Sequence, residues 1–489
     1  MADPPPPPLI KKPSALKALL SATLYQTRTG FKNNLETAMT ITTIQSMSRD
    51  PDRISISTRQ ALSRRYRAPK GPTWAAASIL PVPTSEGSNV LETLMEVIKE
   101  MGDGTEKIDT PEYAPVETEW VGYRKGVGRG EPQPDLSEEE RYKALCADTE
   151  SDVTILYAHG GGFFQGSLSE SRPACARLAR SCGGKCLSVG YRLSPQYPFP
   201  SALLDILLAY ISLLHPTSSS LHQPIPVSKI ILCGDSSGGG LCLSLLQVLL
   251  HLHRRQRSPS TLPMVRIDGK DLPISLPAGL SAFSPYGDLT HSLPSWTDNY
   301  VYDYFPPIDP TLAVQPPYPS CPLWPSPPPR ANFYCHGSAL CHPLVSPVMA
   351  GDWTGAGPIW MAYGQEQLLD EGRVIFKLAS DSSVPVVWEY YEALPHAFPT
   401  LPILRELPQS DRAYHSRGEF CKACVQQPGN ITRQGKMISV SGEELSLDVQ
   451  QIPAKMSVED AQRKIKAGRA KVEELFRRRL KLDRKRAKL

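Results

Sequence analysis

In Lys229-Ile230-Ile231-Leu232-Cys233-Gly234-Asp235-Ser236-Ser237-Gly238-Gly239-Gly240-Leu241, a short apolar run breaks at a glycine and resumes as a longer apolar stretch. Residues 229–233 read as a buried strand, and residues 237–253 as a helix apolar on most of its faces. Between them lies G-x-S-x-G, with glycines two positions either side of Ser236 and of no other serine in the stretch. A serine between strand and helix sits on a sharp turn, exposed above a sheet and beside the positive end of a helix. Gly234 and Gly238 permit the turn and the close approach of neighbouring backbone. Asp235 and Ser237 fill the variable positions.

The same alternation extends outward. Residues 153–158 form an apolar strand ending in His159-Gly160-Gly161-Gly162. Residues 171–181 read as a helix, 185–191 as a buried strand, and 201–214 as a helix opened by Pro200 and Ser201. Downstream come strands at 278–284, 358–363 and 386–391, with a helix at 370–380, and upstream an alternating strand at 116–123. Strands and helices alternating at this length predict an α/β fold with a mostly parallel central sheet flanked by crossover helices.

Acyl transfer places negative charge on a carbonyl oxygen, and fixed backbone N–H groups aimed there stabilise it. His159-Gly160-Gly161-Gly162-Phe163, at the end of a neighbouring strand, is a loop whose glycines let the backbone come that close. A serine nucleophile also needs a base and an orienting acid, here in the chain order serine, acid, histidine. Among ten histidines, His396 follows the last strand; His342 precedes the acid-bearing region and is the weaker choice.

These residues resemble the hormone-sensitive-lipase-like esterase and lipase branch of the α/β-hydrolase fold, in a fungal-type form with N- and C-terminal extensions. The branch carries an HGGG motif, a GDSAG-type elbow, and between them a Tyr-Arg-Leu-Ala-Pro-Glu…Phe-Pro segment. That segment here reads Tyr191-Arg192-Leu193-Ser194-Pro195-Gln196-Tyr197-Pro198-Phe199-Pro200. The likeness runs from about residue 153 to 398, half the chain. The closing His-Gly-Phe of the branch is matched by His396-Ala397-Phe398, with alanine for glycine. Its Asp-Pro-Leu-x-Asp-Glu segment is similar to Glu366-Gln367-Leu368-Leu369-Asp370-Glu371, which implies Glu366 as the orienting acid and leaves Asp370 as the alternative. The resemblance implies a triad of Ser236, Glu366 and His396, with the amides of Gly161, Gly162 and Ser237 holding the oxyanion. The chemistry so implied needs no metal and no organic cofactor.

The expected activity is hydrolysis of a fairly apolar carboxylic ester, a small molecule, through an acyl-enzyme. An acyl-CoA thioesterase would use the same groups. A non-catalytic ligand-binding homologue is a third reading, disfavoured because serine and histidine are both present.

Composition sets the surroundings. The 489 residues include 49 prolines, gathered at the start and around 305–329. The expected layout is a disordered proline-rich leader at 1–13, a helical cover segment at 14–70, and a hydrolase domain at 71–410. The domain carries a cover insertion at about 305–329, and is followed by an irregular extension at 411–455 and a basic C-terminal helix at 456–489. Ser457, with Asp460 three residues on, would start that helix. From residue 463 to the end, thirteen Lys or Arg face three Asp or Glu, a net +10 on a body of −6, which together give the chain's +4. An acidic body argues against nucleic acid as a partner, and the tail reads as a solvated helix.

The eleven cysteines show no disulfide framework, and several fall in core segments, as expected in a reducing compartment. Cys421 and Cys424 form a single CxxC with no second pair at zinc spacing. No apolar run approaches the roughly 18–20 residues of a membrane span, and no secretory signal is evident, so a soluble intracellular protein is expected. Oligomeric state is left open. Ala487-Lys488-Leu489 is similar to the Ser-Lys-Leu peroxisomal address and would engage the import receptor, with cytoplasm and nucleus as the alternatives. With a fluorescent protein fused at the N-terminus, the expected pattern is punctate and peroxisomal. Deleting Ala487 to Leu489 should make it diffuse; a diffuse or nuclear pattern in the intact fusion would count against the address.

Overall fold

The computed structural model describes residues 42, 54–258, 260–305, 318–402, 404–452 and 456–486. The strands in chain order are β1 (Thr73–Leu80), β2 (Val116–Tyr123), β3 (Thr154–Ala158), β4 (Lys185–Gly190), β5 (Ile230–Asp235), β6 (Met264–Ile267), β7 (Lys270–Pro273), β8 (Gly279–Phe283), β9 (Ile359–Gly364), β10 (Val386–Tyr391), β11 (Gln434–Ile438) and β12 (Glu444–Leu447). Ten of them make one sheet in the order β1-β2-β4-β3-β5-β8-β9-β10-β11-β12, while β6 and β7 pair separately. From β4 to β11 every neighbouring pair is parallel; β1–β2, β2–β4 and β11–β12 are antiparallel. Strands β3, β8 and β9 are buried at every position, which is why they read as continuous apolar runs.

The helices are α1 (Ile56–Ser63), α2 (Val90–Met101), α3 (Glu138–Ala147), α4 (Leu168–Cys182), α5 (Ser201–Leu214), α6 (Ser236–Arg254), α7 (Leu369–Asp381), α8 (Pro408–Gln426) and α9 (Val458–Arg486), besides a single turn at Ser295–Asp298. Helix α6 is buried from Ser236 through Leu250, and its opening glycines are set by contact rather than by helix preference. Three glycines in a first turn cost about 1 kcal/mol each against alanine. A Cβ on Gly240 would stand 2.5 Å from the Tyr286 carbonyl oxygen, and one on Gly239 2.9 Å from Pro285. Close packing on the β8 loop requires them.

The alternating centre follows the sequence reading to within a few residues. The extension at 411–455 does not: it was expected to be irregular, yet it supplies most of α8 and the strands β11 and β12, which continue the sheet beyond β10. Edge strand β12 is largely exposed and α8 is mostly polar, so neither carries a clear apolar period. Ala413, Tyr414, Phe420, Cys421 and Cys424 pack α8 into the core, and among them Arg417, wholly buried, ties it to the sheet. Its Nε donates to Ser281 Oγ (2.6 Å), its Nη2 to the carbonyls of Ser281 (2.6 Å) and Gly234 (3.0 Å), and the guanidinium lies 4.5 Å from the Phe283 ring.

The C-terminal helix also departs from the expected solvated rod. Ser457 Oγ accepts the Asp460 N–H (3.1 Å) as its cap, and Ala461, Ile465 and Val472 are buried against the body. The leader at 1–13, residues 306–317 of the cover insertion and Ala487-Lys488-Leu489 lie outside the described residues, as does most of 14–53.

Arg417→Leu removes these donors and leaves the Gly234 and Ser281 acceptors buried. The expected loss is about 2–4 kcal/mol of unfolding free energy, read from the urea midpoint at unchanged slope.

Candidate active site

At the C-terminal end of β5 the chain turns into α6 through Ser236, whose φ of 52° lies in the left-handed region that side chains rarely adopt. Its surroundings impose the strain. A Cβ on Gly234 would come 2.5 Å from the Gly238 carbonyl carbon, and one on Gly238 would collide with the carbonyl oxygens of Ala158 and His159. The Ser236 carbonyl accepts the Tyr286 N–H (3.0 Å), tying the turn to the β8 loop. Asp235 accepts Tyr157 Oη (2.5 Å).

The glycine loop after β3 lies directly against this turn; a Cβ on Gly160 would collide with Asp235. His159 does not face the serine. Its ring stacks on Tyr191 at 4.3 Å, its Nδ1 bonds to the Gly160 carbonyl (2.7 Å), and its own carbonyl accepts Tyr191 Oη (2.6 Å). The Phe163 carbonyl accepts both the N–H (2.9 Å) and Oγ (3.0 Å) of Ser194. The Tyr-Arg-Leu-Ser segment is thus the brace of the glycine loop. Gly161 and Gly162, at φ 121° and 61°, curl the loop, and the amides of Gly161, Gly162 and Ser237 donate to no acceptor among the described residues.

Two further loops complete the site. His396, after β10, places Nε2 2.8 Å from Ser236 Oγ and Nδ1 2.7 Å from Glu366 Oε1. Glu366, after β9, uses Oε2 to accept Ser284 Oγ (2.6 Å) and the Gly364 N–H (3.0 Å). Ser284 Oγ in turn accepts the Ala397 N–H (3.0 Å). Ala397 holds φ 45°, a conformation glycine adopts without cost, so the alanine here is tolerated because the loop is pinned on both sides. Ser236, Glu366 and His396 are all buried, His396 and Glu366 almost completely. Burial, the largest single effect, opposes the charged imidazolium, but Glu366 and, behind it, Asp303 and Asp235 together raise the His396 pKa above the ordinary histidine value.

The alternatives from sequence are placed elsewhere. Asp370, in the first turn of α7, accepts the Ser295 N–H (3.0 Å) and pairs with Arg373 (3.1 Å). His342 is buried with Nε2 on the Ile98 carbonyl (2.8 Å), far from the serine in its bonding. All eleven cysteines are free thiols, and no metal-binding group of His, Cys, Asp or Glu occurs among the described residues. No helix among them is long and apolar enough to cross a membrane. Sequence reading missed Ser284, signalled only as a Ser-Pro after a buried strand, and Asn299, whose Nδ2 donates to the Glu366 carbonyl (2.9 Å).

Above the site, Phe305 and Tyr304 place their rings 4.8 and 6.0 Å from the His396 ring. Beside the glycine loop, Phe164 packs on Phe333 (5.1 Å) and Tyr318 (5.9 Å), in an apolar cluster with Ile56 of α1 and Trp324. The described parts of the two cover segments therefore border the glycine loop.

Fold and site together are those of an α/β protein with a serine at a strand–turn–helix elbow. Residues 155–315 match the family model described as alpha/beta hydrolase fold. An acetyl-hydrolase of Streptomyces hygroscopicus is 28% identical over 274 residues, 56% of this chain and 76% of the relative. Lipase 2 of a Moraxella species is 29% identical over 257 residues, 50% of this chain and 54% of the relative. The crystal structure of an esterase/lipase from an uncultured bacterium superposes with a TM-score of 0.52 at 20% identity, covering 79% of this chain and 98% of that one. The chain has the α/β-hydrolase fold, and over residues 155–315 it is similar to the family of that description.

Gly238→Ala forces the elbow away from β3. Turnover should fall by at least about a hundredfold, the scale of a 1 Å misplacement, with a stability loss of about 1–3 kcal/mol from overpacking. Steady-state kinetics and thermal unfolding on the same preparation check both.

Proposed function

We propose that this hydrolase cleaves small, fairly apolar carboxylic esters through an acyl-enzyme on Ser236. The observation that carries the reading is the unbroken hydrogen-bonded line Ser236–His396–Glu366, at 2.8 and 2.7 Å, beneath aromatic side chains. His396 Nε2 accepts the serine proton as Oγ attacks the acyl carbon. Glu366 holds Nδ1–H and offsets the positive charge that forms on the ring. The amides of Gly161, Gly162 and Ser237 receive the oxyanion. The imidazolium then protonates the departing alcohol, and a water deprotonated by the same nitrogen releases the acid.

Tyr304 and Phe305 set their rings 6.0 and 4.8 Å from the His396 ring, which favours an apolar acyl or alcohol part over a charged one. The names of the relatives, an acetyl-hydrolase and a lipase, favour an oxygen ester over a thioester. The peroxisomal address in Ala487-Lys488-Leu489 is part of the same proposal and rests on those residues alone.

Ser236→Ala should remove activity on the order of a million-fold while leaving the fold intact. Glu366→Gln should lower turnover by up to about ten thousand-fold, and Asp370→Asn far less. The measurement is hydrolysis of a panel of p-nitrophenyl esters and acyl-CoAs, with fluorophosphonate labelling of Ser236. Residual activity in Ser236→Ala, or the reverse ranking of the two acids, would overturn the assignment. A preference for acyl-CoA would select the thioesterase reading.

A further inference from the structure

A second buried carboxylate, on the segment that leads into the cover insertion, stands beside the proposed triad. Asp303 is wholly buried. Its Oδ1 accepts the N–H of Tyr304 (2.7 Å) and the backbone N–H of His396 (3.3 Å), and its Oδ2 accepts the N–H of Gln367 (2.9 Å). Gln367 is the residue after Glu366. One side chain thus bridges the main chain of the loop that carries the base and the main chain of the loop that carries the acid. Those loops leave different strands, β10 and β9.

The rest of this segment is stitched to the acid loop as well. The Ser295 N–H donates to Asp370, Gln367 Nε2 donates to the Trp296 carbonyl (3.0 Å), and Asn299 Nδ2 donates to the Glu366 carbonyl. Immediately after Asp303 come Tyr304 and Phe305, the two rings set against the imidazole.

We propose that Asp303 is a positioning residue for ester hydrolysis, clamping the His396 and Glu366 loops together and supplying a second negative charge that stabilises the imidazolium formed during acyl transfer. The imidazole nitrogens bond to Ser236 and Glu366, and Asp303 acts through backbone hydrogen bonds and through its field. The inference rests on the triad reading above.

The electrostatics agree with the geometry. Among the described residues, the titratable groups that interact with Asp303 are His396 on the base loop, Glu366 on the acid loop and the phenols of Tyr304 and Tyr286, while Asp235 at the elbow acts on His396 and Tyr304. Burial pushes the Asp303 carboxyl up to about 6, with positive His396 pulling it down and Glu366 pushing it up. For His396, burial lowers the pKa, but Glu366 first and then Asp303 and Asp235 raise it further than burial lowers it. Removing the Asp303 charge therefore lowers the His396 pKa. An imidazole that must be neutral to accept the serine proton then stays neutral to lower pH.

The test compares wild type, Asp303→Asn and Ser236→Ala on one p-nitrophenyl ester across pH, with fluorophosphonate titration of active sites and thermal unfolding. Asp303→Asn should lower kcat by about a hundredfold per active site, as expected for a misplaced base. It should change KM little and move the acid limb of kcat/KM to lower pH. A uniform loss with an unmoved limb would reduce Asp303 to a packing residue and overturn the proposal, as would unchanged kinetics. If Asp303→Asn does not fold, Asp303→Glu, which keeps the charge, decides: a lowered kcat with the acid limb near its wild-type position supports the proposal, and an unchanged kcat or a limb displaced to lower pH overturns it. An active Ser236→Ala would sink the triad reading itself, whereas an inactive Ser236→Ala with Asp303→Asn like wild type would sink only this inference.

Discussion

Everything at the top of the sheet depends on the contact between the first turn of α6 and the end of β3. The Gly238 Cα lies against the carbonyls of Ala158 and His159, with no room for a methyl group. That proximity forces a turn so tight that Ser236 must adopt a left-handed backbone. The strain costs on the order of 1–3 kcal/mol and persists only because the surrounding core over-determines it. Helix α6 is buried along most of its length, and the fully buried strands β3 and β8 flank β5. The core supplies that constraint.

The same contact aligns two otherwise separate parts. The glycine loop after β3 and the N-terminus of α6 present free amides to one region, because parallel strands β3 and β5 pair in register from Thr154 opposite Ile230 to Ala158 opposite Gly234. Glu366 and His396 reach the serine for the same reason. Strands β9 and β10 run parallel to β5 through β8, so their C-terminal ends open on one edge. A parallel sheet gathers loops that are distant in sequence, and a switch from strand to loop is where side chains escape the pleat.

Burial and pairing are balanced against each other at that edge. His396 and Glu366 are almost inaccessible to water, which strengthens their mutual attraction but would be costly without hydrogen bonds on both sides. Ser284 and the Gly364 amide satisfy the outer oxygen of Glu366, and Ser284 also fixes Ala397. Arg417 plays a comparable part from below the sheet, holding the Gly234 carbonyl at the start of the elbow. The site is therefore held from three directions: α8 beneath, the β8 loop at the side, and the 295–305 segment above.

The sequence by itself determined the alternating α/β order, the elbow at Ser236, the glycine loop and His396, because each depends on local contrasts: apolar runs, glycines and chain order. It left Glu366 and Asp370 unresolved, since both lie within one turn of the start of α7. The tertiary structure separates them, bringing Glu366 to His396 and Asp370 to Ser295. Ser284, Asn299 and Asp303 left almost no trace in the sequence, as a single polar residue acquires its role only from what folds against it. Helix α8 and strands β11 and β12 were equally hidden. The strands rest on main-chain pairing, and the buried face of α8 (Ala413, Tyr414, Phe420, Cys421 and Cys424) is short, mixed with small residues and broken by Arg417, so it makes a weak apolar period in one dimension.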